Sequence, residues 1–202
     1  MMKKNDRHFL EAALQNIEAA IDTAVQNDAI AAIPVVGTAF KVLRGIDEFR
    51  SRVFAAKLAK FVFEPYLQTD EAKRKIKQKV AESPDKANKV GETLFLVLDR
   101  FIDIDKPTIL SKVFVAYLDD IVSADELQRL AQAIDLAFGD DLKELLAAQD
   151  LWFDDDFRPW IGALANSGLT ISRVKPLGPA KTFYQVTPLG QTLWKAWRHV
   201  PK

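Results

Sequence analysis

The sequence predicts a mainly α-helical protein, an antiparallel multi-helix bundle followed by a small C-terminal module with one two-stranded β-hairpin. Apolar residues recur three and four positions apart through most of the first 150 residues, which is the spacing of one helix face. Cap residues and prolines divide this region into helices with short connections, which favour antiparallel packing. After residue 150 apolar and polar residues alternate in places, as in a half-buried strand. We therefore predict a helical bundle over residues 1–150 and a separate module over residues 151–202.

The bundle is predicted to begin with a helical hairpin. Its first helix spans residues 9–26 and its second spans residues 38–64, where a broad apolar stripe runs from Val42 to Phe63. Pro34 and Gly37 form the break between them, since proline cannot occupy a helix interior and glycine accepts unusual dihedral angles. The basic residues of the second helix, among them Lys57 and Lys60, are predicted to face solvent or a partner. This helix is the expected central strut of the bundle.

Start signals mark the helices that follow. Thr69 precedes two acidic residues, as at many helix N-termini, and proline at a first helical position marks the starts at Ser83-Pro84 and Lys106-Pro107. Ser123 and Glu126 form a capping box. Asp140-Asp141 opens a short helix after Gly139 has ended the previous one.

The C-terminal module contains a helix over residues 157–166, a strand over 169–174, a loop, a second strand over 182–186 and a final helix from Thr187-Pro188. Its sequence resembles the end of winged-helix domains, with Tyr184, Val186, Thr187, Gly190 and Leu193 in the matching places. The match covers about the last quarter of the chain. Members of that family are commonly DNA-binding regulators, and many use the fold only for protein contacts. The fold expectation is therefore a winged-helix-like module.

The helix in the recognition position departs from what DNA binding requires. It reads FRPWIGALANSG and offers few long polar side chains that would reach base edges. The aspartates at 154–156 precede it and would repel phosphate. We therefore favour a structural or protein-docking role for this module over sequence-specific DNA binding.

A second, looser resemblance covers much of the chain. The segments IPVVGTAFK, FAAKLAKFV and LQRLAQAIDLAF, with the helix end Leu98-Asp99-Arg100, are similar to a group of uncharacterised small bacterial proteins. The resemblance implies a bacterial origin and a mobile-element or phage-defence neighbourhood. It implies no activity.

Charge is unevenly distributed along a chain whose net charge is zero. Residues 158–202 contain no Asp or Glu and seven Lys or Arg, so the remainder carries minus seven. This asymmetry indicates either an acidic partner, nucleic acid included, or docking of the tail on the rest of the molecule. The basic stretch KRKIKQK is either a phosphate-contacting face or a solvated helix face. The candidate contact residues are Arg158, Arg173, Lys175, Lys181, Lys195, Arg198, Lys73, Arg74 and Lys77.

No catalytic constellation can be assembled from the sequence. The chain has no cysteine and only two histidines, His8 and His199, so nitrogen and sulfur metal sites are not expected. It also lacks a nucleophile elbow, a P-loop and a dinucleotide-binding glycine pattern. Its paired aspartates, such as Asp140 and Asp141, stand where helix-start acids usually stand. We expect no enzymatic activity, catalytic residue, cofactor or metal.

These observations favour a cytoplasmic, non-enzymatic protein-interaction or adaptor protein that binds another protein or forms a homo-oligomer. We see no signal peptide, and the longest uncharged apolar run, Ala29–Phe40, is shorter than the 20 or so residues of a membrane span. Two alternatives stay open. One is nucleic-acid binding through the basic tail, and the other is a membrane-acting effector that inserts Ala29–Phe40.

Overall fold

A computed structural model describes residues 49–154, 158–174 and 182–201. These residues are mainly helical, with an antiparallel sheet near the C-terminus, which confirms the predicted class. The first predicted helix (residues 9–26), the start of the second and the segment Ala29–Phe40 lie outside the described residues. Chain contacts separate two compact units, Met1–Arg100 and Phe101–Lys202, which we call unit 1 and unit 2.

The described part of unit 1 contains three α-helices and one 3-10 turn. Helices α1 and α2 both contact α3. The ring of Phe54 on α1 meets the ring of Phe95 on α3 edge to face, with centroids 5.2 Å apart. Leu58, Phe61 and Leu94 are fully buried and complete the interior of this part. The elements are α1 (Phe49–Val62), the 3-10 turn (Pro65–Gln68), α2 (Asp70–Glu82) and α3 (Pro84–Arg100).

Lys57 corrects one prediction about α1. Its side chain is buried, and its Nζ donates a hydrogen bond to the backbone oxygen of Asp99 at 2.8 Å. An ammonium group at the C-terminal end of α3 is favoured by the helix dipole, which compensates for its desolvation. The prediction that Lys57 faces solvent or a partner was therefore wrong, whereas Lys60 is exposed as predicted.

The helices of unit 2 surround one central helix. Helix α4 has eleven of its thirteen residues buried, because its apolar residues occupy every side rather than one stripe. The capping box at the start of α5 is confirmed: the Ser123 hydroxyl accepts the Glu126 N–H at 3.2 Å, and the Glu126 carboxylate accepts the Ser123 N–H at 2.8 Å. The helices are α4 (Lys106–Leu118), α5 (Ala124–Leu136), α6 (Gly139–Ala147), α7 (Pro159–Ala163) and α8 (Pro188–Arg198).

A three-stranded antiparallel sheet lies within unit 2. The predicted hairpin is present, with Ser172 opposite Tyr184. A third strand, which the sequence did not predict, pairs with the other side of β3 and gives the order β1-β3-β2. The strands are β1 (Trp152–Asp154), β2 (Thr170–Val174) and β3 (Thr182–Val186). A 3-10 turn, Leu164–Ser167, continues α7, so the helix predicted at 157–166 is shorter than expected.

The residues Gly168, Thr187 and Gly190 have a clear structural role in this chain. The Thr187 hydroxyl donates to the Gly168 carbonyl oxygen at 2.7 Å and accepts the Gly190 N–H at 3.1 Å, which caps α8. Gly168 has a φ of 77°, a left-handed conformation that favours glycine. A Cβ on Gly190 would overlap the carbonyl oxygen of Leu169. These residues therefore seat α8 against the start of β2.

Helix α8 is attached to α4 and α6 by side-chain hydrogen bonds. Trp194 Nε1 donates to the Leu145 carbonyl oxygen at 2.6 Å. His199 Nε2 lies 2.6 Å from Asp119 Oδ2, just beyond the end of α4. The C-terminal elements thus belong to one compact unit with the three helices before them. The division between units falls after Arg100, whereas the sequence-based division was placed after residue 150.

Candidate interaction surfaces

Acids in the first turn of α2 form ion pairs with three of its five basic residues. Lys73 Nζ lies 3.1 Å from Asp70 Oδ1, and Arg74 forms two hydrogen bonds with Glu71, the shorter at 2.6 Å. The hydrogen bond from Arg74 and its charge lower the pKa of Glu71, and the same pair raises the pKa of Arg74. Lys77 is exposed. Two of the three candidate contact residues on α2, Lys73 and Arg74, are therefore already paired with acids of the same helix.

The basic residues of the tail divide into two groups. Arg198 has a structural role, since its guanidinium lies 5.1 Å above the Trp194 ring and donates to the Ala148 carbonyl oxygen at 2.7 Å. Lys195 is exposed, and its charge helps to lower the pKa of Glu126, after the two hydrogen bonds from Ser123. The exposed residues Arg158 and Arg173 lie before α7 and on β2, and Lys175 and Lys181 are outside the described residues.

The sequence did not single out one group of exposed apolar residues in unit 2. Four large apolar side chains lie on the loop before α4, at the last residue of α5 and on the short loop between α5 and α6. Their exposed fractions are 99% for Ile102, 41% for Ile104, 70% for Leu136 and 69% for Phe138. We call these four residues the apolar patch. Exposed apolar surface of this kind, where it is contiguous and has a polar rim, often marks a binding site.

Contacts between the two loops hold the apolar patch together. Asp103 Oδ1 accepts the Asp105 N–H at 2.8 Å, and the Asp103 carboxylate fills the space that a Cβ on Gly139 would occupy. Lys106 is buried, and its Nζ donates to the Asp135 carbonyl oxygen at 2.9 Å. Burial lowers the pKa of Lys106, against the opposing charges of Asp135 and Asp103. The end of α5 is therefore fixed next to the start of α4.

The surroundings of the apolar patch are acidic. Residues 101–105 and 135–142 contain five aspartates and no lysine or arginine. Burial, and secondly the charge of Asp140, raises the pKa of Asp141. Lys143 bridges this region, with its Nζ 3.0 Å from Asp105 Oδ2 and 3.2 Å from Asp140 Oδ1, and these bonds raise the pKa of Lys143.

An open groove of about 310 Å³ adjoins the apolar patch through Asp105 and Lys143. It lies between α4 and α6, and α8 contributes Trp197. Most of its exposed lining is apolar, with charged groups at one side, an arrangement typical of ligand and peptide sites. Its lining residues are Asp105, Thr108, Ile109, Lys143, Leu146, Ala147 and Trp197.

The described residues contain no cluster of three or more His, Asp or Glu side chains placed to hold a metal ion. Asp140 and Asp141 occupy the first turn of α6, as predicted for helix-start acids. Within the same described ranges, we find no helix whose length and apolarity suit a membrane crossing.

The sequence missed the apolar patch because its members are short interruptions between helices. Ile102 and Ile104 alternate with aspartates and show no helix period. Phe138 continues the helix spacing of Leu127, Leu130 and Ile134 and was predicted to lie on the apolar face of that helix, which was wrong, because the helix ends at Leu136 and Phe138 is exposed. A usable signal was present, namely large apolar residues placed among aspartates in connecting segments. Connecting segments usually run over the surface, where such residues are exposed.

No protein-family model matches this sequence, and comparison with curated proteins and with solved structures finds no similar chain.

Proposed function

We propose that this chain is a non-enzymatic protein-interaction protein with a regulatory or adaptor role, and that it binds another protein or a second copy of itself. The observation that carries the proposal is the apolar patch. Ile102 and Phe138 expose 99% and 69% of their surfaces. Removing such side chains from water gains about 25 cal/mol per Å². A partner protein would supply the apolar surface that covers them.

The positions of the basic residues support a protein partner more than a nucleic acid. Lys73 and Arg74 are paired with acids of α2, and Arg198 is held by Trp194 and Ala148. A phosphate-binding face needs cations that can exchange counterions for phosphates. Lysine and arginine side chains that already pair with acids of the same helix would have to break those ion pairs in order to bind phosphate.

Nucleic-acid binding is the second candidate, because Arg158, Arg173 and Lys195 are exposed in an acid-free segment. On this hypothesis the winged-helix-like module would contact the phosphate backbone. Binding would then weaken steeply with salt. An electrophoretic mobility titration on duplex and single-stranded DNA at low salt tests it, and absence of a shift would remove it.

The proposal includes a cytoplasmic setting in a bacterial mobile-element or phage-defence system. Its support is the resemblance to the group of bacterial proteins described above and the absence of cysteine, which suits a reducing compartment.

Affinity purification from the native host, with and without nuclease, tests the proposed function. We expect a protein partner that survives nuclease treatment, or a dimer or larger oligomer by light scattering. A strict monomer that recovers no protein would contradict the proposal. Material that disappears with nuclease would favour the second candidate.

A further inference from the structure

We propose that the apolar patch docks a basic amphipathic helix of a partner protein. This inference rests on the proposed function and names the surface and the chemistry of the partner. The patch joins two loops of unit 2 that Asp103, Gly139 and Lys106 hold in contact.

The apolar side chains define one half of the partner. Phe138 and Leu136 offer large, exposed surfaces, and the groove that begins at Asp105 is lined by Ile109, Leu146 and Trp197. Helices that dock on such surfaces insert apolar side chains spaced three and four residues apart. One such side chain fills the groove while its neighbours on the same helix face cover the patch.

The acidic residues around the apolar patch indicate the charge of the partner helix. Five aspartates and no lysine or arginine occupy the loop before α4, residues 135–138 and the first turn of α6. Lys143 pairs with Asp105 and Asp140 and offsets part of this negative charge, while Asp140 stays 72% exposed. Lysine or arginine side chains flanking the apolar face of a partner helix would pair with the acidic charge that remains. An acidic helix, or an anionic lipid surface, would be repelled.

The surface is built from helix ends and loops, so it suits a helix better than an extended peptide. Extended peptides gain affinity by adding to a sheet edge. The sheet of unit 2 consists of β1, β2 and β3, and none of the four patch residues belongs to a strand. Side-chain contacts, rather than backbone hydrogen bonds, would therefore carry the affinity.

Two fluorescein-labelled model peptides test the inference on the full chain by fluorescence anisotropy. Both are 18-residue helices with leucine at the apolar positions, one with lysine and the other with glutamate elsewhere. We expect the Leu/Lys helix to bind at least about tenfold more tightly than the Leu/Glu helix, and we expect its binding to weaken as the salt concentration is raised. Equal binding of the two peptides would overturn the charge argument.

Matched variants locate the binding site. Leu136→Ser with Phe138→Ser should weaken Leu/Lys binding by at least about tenfold, since these substitutions remove the exposed apolar anchors. Val200→Ser is the control, because Val200 is 79% exposed and lies outside the patch. The double variant Asp140→Asn with Asp141→Asn leaves the apolar residues intact. We expect its affinity for the Leu/Lys peptide to fall by about threefold or more and to depend less on salt than that of the wild type. Unchanged binding by both double variants would overturn the proposal.

Three further outcomes separate this inference from its alternatives. Sedimentation with phosphatidylcholine vesicles should show no binding, and vesicle binding that Leu136→Ser with Phe138→Ser abolishes would overturn the proposal in favour of a lipid surface. If a partner from the host is recovered equally by the wild type and that double variant, the docking surface is wrong while the proposed function stands. If no protein is recovered by either and the chain is monomeric, the proposed function itself fails.

Discussion

Replacing Gly190 with alanine would add a methyl group where α8 passes the residue before β2. The new Cβ would overlap the carbonyl oxygen of Leu169 and lie 2.6 Å from Cγ1 of Val186. That oxygen accepts the Thr187 N–H at 3.0 Å, so it cannot withdraw without breaking a bond at the start of α8. Overpacking costs about 1–3 kcal/mol, and a fixed backbone oxygen places this site near the upper value, about 3 kcal/mol.

Helix propensity opposes this loss. Alanine is favoured over glycine in a helix by about 1 kcal/mol, so the two effects leave a net destabilisation of about 2 kcal/mol. For a unit of about 100 residues, this loss corresponds to a decrease in Tm of about 8–16 °C. Steric overlap therefore outweighs propensity at Gly190.

Urea unfolding followed by tryptophan fluorescence measures this effect in unit 2, because all four tryptophans lie there. Gly162→Ala is the matched control. Its Cβ would lie 3.0 Å from the hydroxyl oxygen of Tyr184, the end of a half-buried side chain that can move aside. We expect Gly162→Ala to stay within about 0.5 kcal/mol of the wild type. Equal stabilities of Gly190→Ala and the wild type would refute the reasoning.

Four further predictions concern the stability of unit 2, each measured by urea unfolding. Ser123→Ala should cost about 1 kcal/mol through loss of the cap. The capping bonds lower the pKa of Glu126, so the stability that its carboxylate contributes is fully present above pH 4.5 and is lost as the pH falls through the lower pKa of the folded state. Glu126→Gln should therefore be destabilising at pH 7 and nearly neutral at pH 2. Equal effects at the two pH values would contradict this prediction. Trp194→Phe removes the indole N–H that the Leu145 carbonyl oxygen accepts, while the Ala148 N–H still donates to that oxygen, so the variant should cost about 1 kcal/mol, with no change counting against that role. Burial lowers the pKa of Lys106 in the folded state below 10.5, its value in the unfolded state. As the pH rises between these two pKa values, the wild type should therefore gain stability relative to Lys106→Met. A loss of relative stability would contradict the burial of Lys106.

Local signals predicted much of the fold. The capping box at Ser123, the Thr69 cap and the proline starts of α3 and α4 depend on residues within one helix turn, so their structures follow from nearby sequence alone. The hairpin strands were likewise predicted from their alternation and from the intervening Pro- and Gly-rich segment.

Tertiary contacts decided the rest. β1 is three residues long, and its pairing with β3 depends on residues about thirty positions away in sequence. Lys57 stands on what was predicted to be a polar helix face, but the C-terminal end of α3 covers it. Arg198 was a candidate for contacting an acidic partner, and its hydrogen bond to the Ala148 carbonyl oxygen depends on how α8 packs against the end of α6. Periodicity within one helix carries no information on such contacts.

The same limit explains why the sequence did not identify the apolar patch. Ile102 and Phe138 belong to different loops, and the carboxylate of Asp103 beside Gly139 brings those loops together. The sequence did predict an interaction protein, from its apolar helix surface and uneven charge. The structure adds a defined surface on which that prediction can be tested.

Parallel affinity purification from the native host tests the central claim most directly. The baits are the wild type, Leu136→Ser with Phe138→Ser, and Val200→Ser, with recovered proteins quantified by mass spectrometry after nuclease treatment. We predict that wild type and Val200→Ser recover the same protein, and that the double variant recovers at least about tenfold less, because both anchors of the patch are gone. Equal recovery by all three baits would contradict the claim that the apolar patch is the docking surface.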